Sequence, residues 1–96
     1  MILTPELLRP LEATDFAFEV AEGPPVALRL DTVAEARREQ GFRQFSLHFS
    51  GPLNTPLIQG TYLISHPKLG EGPLFLVPTG KDNEQMFYEA ACSCQG

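Results

Sequence analysis

The fold is decided between Phe45 and Ala91, where FSLHFSGP (45–52), PLIQGTYLISH (56–66), GPLFLVPTG (72–80) and MFYEAA (86–91) follow one another. Each run is short, carries its apolar residues in alternation or in clusters, and is bounded by Gly, Pro or Asn. That pattern predicts four strands of a small antiparallel β domain. With no room for long helical crossovers, neighbouring strands are expected to pair as a meander. Phe45, Leu47 and Phe49 fall on one face of the first strand and Ser46, His48 and Ser50 on the other. The second strand is read from Leu57 to Ser65. It has Ile58, Tyr62 and Ile64 on one face and Leu57 and Leu63 on the opposite one, so it is expected to be central, with Gly60 marking a bulge or a close backbone approach. Residues 67–73 are read as a connection, 74–77 as a strand, 78–83 as a hairpin turn and 86–91 as the last strand.

Working back toward the amino terminus, Thr4 can cap a short helix with Pro5 at its first position and Glu6 beside it. Leu7, Leu8 and Leu11 supply an apolar stripe, and Pro10 ends or bends the turn. Phe16, Phe18 and Val20 then alternate with Ala17 and Glu19, Glu22-Gly23-Pro24-Pro25 breaks the run, and Val26, Leu28 and Leu30 form the second arm of a hairpin. Between this hairpin and Phe45, residues 34–39 (Ala34, Glu35, Ala36, Arg37, Arg38 and Glu39) are good helix formers. Asp31 or Thr32 is available as a cap and Gly41 as a stop, so a second helical turn is expected there, with a long charged hairpin loop as the alternative.

The chain has 96 residues, which suits one domain spanning 1–96. Seven Phe and two Tyr stand in for the missing Trp as bulky core fillers. A net charge of -5 argues against phosphate-tracking surfaces and anionic lipid, so neither nucleic acid nor membrane is expected as a partner. The amino-terminal stretch lacks the basic and long apolar regions of a secretory signal, so a cytoplasmic location is the default. Cys92 and Cys94, one residue apart, cannot staple distant parts of the fold.

No chemistry-bearing constellation stands out. His48, His66, Cys92 and Cys94 are zinc-type ligands, but Cys-x-Cys and two isolated histidines do not have the spacing of a common zinc motif, so no metal is expected. Ser46, His48, Ser50, Ser65, His66 and Glu89 contain the residue types of a nucleophilic site. The alternation of the first three with core Phe and Leu reads more simply as a solvent face. Gly70-Glu71-Gly72-Pro73 lacks the lysine and the helix of a phosphate loop. Catalytic, cofactor and metal sites are therefore all expected to be absent. Tyr62, Phe75 and Phe87 are the candidate partner-binding residues, as an aromatic patch on a second sheet face unless the amino-terminal helix and first hairpin cover it.

The runs FSLHFSGP, LIQGTYLISHPKLGEGPLFLVPTG and FYEA together resemble a family of small, uncharacterised bacterial proteins of about a hundred residues, a domain of unknown function. The ensemble of Gln59-Gly60-Thr61-Tyr62, His66, Leu69-Gly70, Leu74 to Pro78 and Gly80 carries the resemblance, which extends from Phe16 to Ala91. The tail Cys92-Ser93-Cys94-Gln95-Gly96 departs from it. The resemblance implies a gene neighbourhood beside phage tail-collar-like fibre proteins, and hence a tail-fibre-like protein as the class of partner. The expectation from sequence is a mainly β, six-stranded antiparallel barrel or sandwich with a short amino-terminal helix. Its expected role is a non-enzymatic interaction or assembly module acting through a sheet face, an edge strand or loops. The alternative function is a small ligand-binding barrel or hydrolase using His48 or His66.

Overall fold

The computed structural model describes residues 1–95, and the side chains of these except Arg37 and Glu39. Its elements are α1 (Pro5–Leu8), a 3₁₀ turn (Arg9–Leu11), and strands β1 (Asp15–Phe18), β2 (Val26–Glu39), β3 (Phe42–Pro52), β4 (Gly60–His66), β5 (Gly70–Lys81) and β6 (Gln85–Gln95). All pairings are antiparallel, and the strands close into a barrel in the order β1-β2-β3-β6-β5-β4. The first and last three strands are each a meander, but β3 neighbours β6 and β1 neighbours β4, so the single meander expected from sequence is corrected.

Side chains that alternate along each strand fill the interior. Phe16 and Phe18 from β1 meet Phe49 of β3 edge-to-face, with ring centroids 5.7 and 5.3 Å apart. Leu28, Leu30, Leu47, Ile64, Leu76 and Tyr88 are fully buried around them. Gly51 faces the same interior, and a Cβ there would collide with Cδ2 of Leu28.

The expected start of the molecule is present: Thr4 caps α1 by accepting a hydrogen bond from the Leu7 N–H, with Pro5 in the first turn, and Leu8 and Leu11 are buried against the barrel. The second helical turn is not. Residues 34–39 continue β2, because Gln40 and Gly41 (φ 50° and 83°) make a two-residue turn that folds β2 directly onto β3. Pairings such as Val33 with Leu47 and Glu35 with Phe45 outweigh the modest helix preference of this segment. Glu35 gains a specific role in the extended strand. Arg43 forks onto both carboxylate oxygens of Glu6 (2.8 and 2.6 Å) and donates from Nε to Glu35 (2.9 Å), while Arg9 donates to Glu35 at 3.0 Å, tying α1 to the β2–β3 arm. The Arg43 guanidinium holds the Glu6 carboxyl down to about 2 and also lowers Glu35.

Three boundaries also differ. β4 starts at Gly60 rather than at Leu57, β5 runs from Gly70 to Lys81 and absorbs residues read as turns, and β6 carries both cysteines within a strand. The real β5–β6 turn is tighter, built by Asp82 Oδ1 accepting from the N–H groups of Glu84 and Gln85. Among the described residues no helix is long and apolar enough to cross a membrane.

Candidate functional site

In the ring of strands β3 and β4 stand opposite one another, so the chain between them, residues 53–59, has to cross the barrel mouth. Two tyrosines hold this crossing loop. Tyr88, fully buried on β6, accepts a hydrogen bond from the Leu57 N–H at 2.9 Å. Tyr62 on β4 donates to the Ile58 carbonyl at 2.6 Å. Leu57 is driven inward as a plug and is 6% exposed, whereas the next residue, Ile58, is left 79% exposed between the two anchored positions. An isoleucine this exposed at a hydrogen-bonded backbone position presents apolar surface on a segment that is already ordered.

Open clefts lie around the loop. One of about 460 Å³ runs between it and the β1–β2 connection, walled by Val20, Pro24, Pro25, Pro52, Pro56 and Leu57. A second of about 400 Å³ lies on the Tyr62 side and includes Ile58 itself. A third, of about 540 Å³, is bounded by Leu53, Pro56, Pro78 and Met86. The mouth is thus an apolar rim set with prolines, whose φ is fixed and whose shape costs little entropy to present.

The structure separates the three aromatic residues expected to share a face. Tyr62 points inward beside Phe18, centroids 6.1 Å apart, and supports the loop from below. Burial raises its phenol above the ordinary value. Phe75 points outward on β5 and is 49% exposed. It lies two residues from Pro73, which pairs with the exposed Leu63, so these three form a separate small apolar patch on the outer wall. Phe87 also points outward, on β6 beside Ser50 and Gly80, well away from Phe75 along the strands.

The histidines are placed apart as well. His48 lies on the outer wall, its Nε2 3.9 Å from Glu89 Oε2, too long for a hydrogen bond. His66 is buried, tilted on Phe16 with centroids 4.6 Å apart. Its Nδ1 accepts from the Lys68 N–H at 3.1 Å, so the proton sits on Nε2, which donates to Thr14 Oγ1 at 3.0 Å. Thr14 in turn donates to the Leu11 carbonyl at 2.6 Å. With both ring nitrogens committed, His66 has no lone pair with which to take a proton from Thr14, so the pair latches the 3₁₀ turn to β4. Burial lowers the His66 pKa below the ordinary imidazole value. Cys92 and Cys94 are free thiols, and burial pushes Cys92 up to about 11. Among the described residues no three His, Cys, Asp or Glu side chains converge on a metal position.

Sequence reasoning missed the crossing loop, because Leu57 and Ile58 read as the start of a strand. The available signal was Asn54-Thr55-Pro56, a turn-forming run that the strand reading placed just before them.

Fold and site together define a small closed antiparallel β-barrel, capped by a short helix at one end and bridged by an anchored apolar loop at the other. Residues 3–92 match the family described as Domain of unknown function (DUF6916), and the chain belongs to that family. The match takes in the amino-terminal helix as well as the strands on which the resemblance rested. No curated protein and no solved structure matches the chain.

Proposed function

We propose that this protein is a non-enzymatic interaction module that docks a protein partner through the bridged mouth of its barrel. The observation that carries the reading is Ile58, 79% exposed yet gripped by hydrogen bonds to its own carbonyl and to the N–H of the residue before it. A partner that buries this side chain gains apolar contact without having to order the loop, since Tyr62 and Tyr88 already do so. The clefts on either side offer places for the partner's own apolar side chains. A tail-fibre-like bacterial protein is the class of partner suggested by the gene neighbourhood that the family resemblance implies, and an accessory role fits the cytoplasmic location expected from the sequence.

The packed aromatic interior and the committed hydrogen bonds of His66 support this reading over a ligand-binding barrel or a hydrolase. The test is co-purification of the tagged protein from its producing cells, wild type beside Ile58→Asp and Phe75→Ser. A stoichiometric fibre-like protein retained by wild type and Phe75→Ser but lost with Ile58→Asp is the expected result. Retention by Ile58→Asp at wild-type level, with its circular dichroism unchanged, would count against the mouth.

A further inference from the structure

Beyond the barrel proper, the far ends of β2, β3 and β6 continue as a three-stranded arm, because β5 leaves β6 after the pair Val77–Glu89 and the segment entering β1 leaves β2 after the backbone hydrogen bonds of Ala13 and Thr14 with Leu30. Open strand edges invite pairing with other chains, and proteins usually block them. Two of the edges left open here are blocked. On β2, the Val33 N–H is taken by Glu12 Oε2 at 2.8 Å, and the strand beyond it carries the charged Glu35 and Arg38. On β5, Leu63 accepts from the Glu19 N–H and so turns its backbone groups toward β1. Its partner Pro73 therefore faces the open side, where proline has no N–H to offer.

Among the described residues the edge of β6 has no such guard. Its open segment is Ala91-Cys92-Ser93-Cys94-Gln95, with neither charge nor proline. The two-residue turn at Gln40-Gly41 makes Glu39–Phe42 the closing pair, so Phe42 turns its backbone to β2 and, by alternation, Arg43 and Phe45 turn theirs to β6. Their partners Cys94 and Cys92 face β3 in return, which leaves the N–H and C=O groups of Ala91, Ser93 and Gln95 pointing off the edge. We infer that β6 is a self-association edge and that a second copy of this chain adds to it antiparallel, about a two-fold axis through Ser93. In that register Ser93 pairs with Ser93 of the second copy and Ala91 with Gln95, each pair exchanging two backbone hydrogen bonds. Cys92 then stands opposite Cys94 of the second copy, in the non-hydrogen-bonded position where side chains come closest. The inference is independent of the mouth and of any fibre-like partner.

Sedimentation of the full chain is expected to show a dimer. Copper-phenanthroline should convert it to a covalent dimer with Cys92 joined to Cys94, each bond formed from two thiols with two electrons passing to copper(II) and two protons to solvent. Cys92→Ser and Cys94→Ser should each fail to cross-link alone and should cross-link to one another when mixed, because each retains one member of the opposed pair. Ser93→Pro removes an N–H that β3 does not use and is expected to give a folded monomer. A wild-type chain that stays monomeric across the concentration range overturns the inference. So do single-cysteine variants that cross-link to themselves as readily as the mixture does, or a folded Ser93→Pro chain that still dimerises.

Discussion

The hydroxyl of Tyr88 accepts a hydrogen bond from the backbone N–H of Leu57 at 2.9 Å, joining the last strand to the middle of the loop that crosses the barrel mouth. This contact sets where Leu57 plugs the core and, one residue on, where Ile58 stands in solvent.

Tyr88→Phe keeps the buried ring and deletes the acceptor, leaving the Leu57 N–H unpaired. A loss of about 1–3 kcal/mol is expected. Denaturant midpoints should fall accordingly, and amide exchange at Leu57 should speed up while that of the β3–β6 ladder stays protected relative to global unfolding.

Leu57 and Ile58 are adjacent isoelectronic side chains with opposite roles. Leu57→Ala opens a hole beneath the loop and should cost about 2–5 kcal/mol. Ile58→Ala touches a solvent-exposed side chain and should stay within about 0.5 kcal/mol of wild type. Equal destabilisation by the two, measured by urea unfolding, would contradict the placement of the loop.

Gly51→Ala puts a methyl group against Cδ2 of the fully buried Leu28. The clash has nowhere to relax in a packed interior, so about 1–3 kcal/mol of destabilisation is expected. Pairing it with Leu28→Val should recover part of that loss, which a thermal-melt comparison of the single and double variants checks.

Acid should weaken the protein in two windows. His66 has a lowered pKa because its neutral form is buried, so its contribution is present above the unfolded imidazole pKa of about 6.5 and is lost as pH falls through that value and the lower folded one. Glu6, held at about 2 by Arg43, contributes above its unfolded pKa, and that contribution disappears as pH falls from there toward 2. Glu6→Gln should shrink the lower window, to which Glu35 still contributes, and leave the upper one unchanged in a stability-against-pH series. A wild-type stability that rises on acidification between pH 7 and 5 would contradict the His66 assignment.

Much of the strand content was legible because β1, the first half of β2, and β3 alternate cleanly: Phe16 with Phe18, Leu28 with Leu30, and Phe45 with Leu47 and Phe49 are all buried. The cap at Thr4 was legible for the same local reason. Residues 34–39 were not, since their side chains favour a helix slightly while the evidence against one lies in the turn at Gln40-Gly41 that follows them and in pairings such as Glu35 with Phe45, ten residues on. Ring order was hidden too, because the β3–β6 and β1–β4 contacts join segments more than thirty residues apart. The mouth depends on that order: only once β3 and β4 are known to stand opposite does the Leu57–Ile58 segment become a bridge. The anchoring hydroxyls of Tyr62 and Tyr88 leave no trace in residue spacing.

The most direct test of the mouth as a docking surface is the affinity of the recovered fibre-like partner for wild type, Ile58→Ala and Tyr62→Phe by titration calorimetry. Ile58→Ala is expected to weaken binding by about 30-fold or more, the range of an interface anchor worth about 2 kcal/mol, with a smaller loss for Tyr62→Phe, which keeps the ring beside the cleft and removes only the hydroxyl that anchors the loop. Unchanged affinity for a folded Ile58→Ala chain would contradict it.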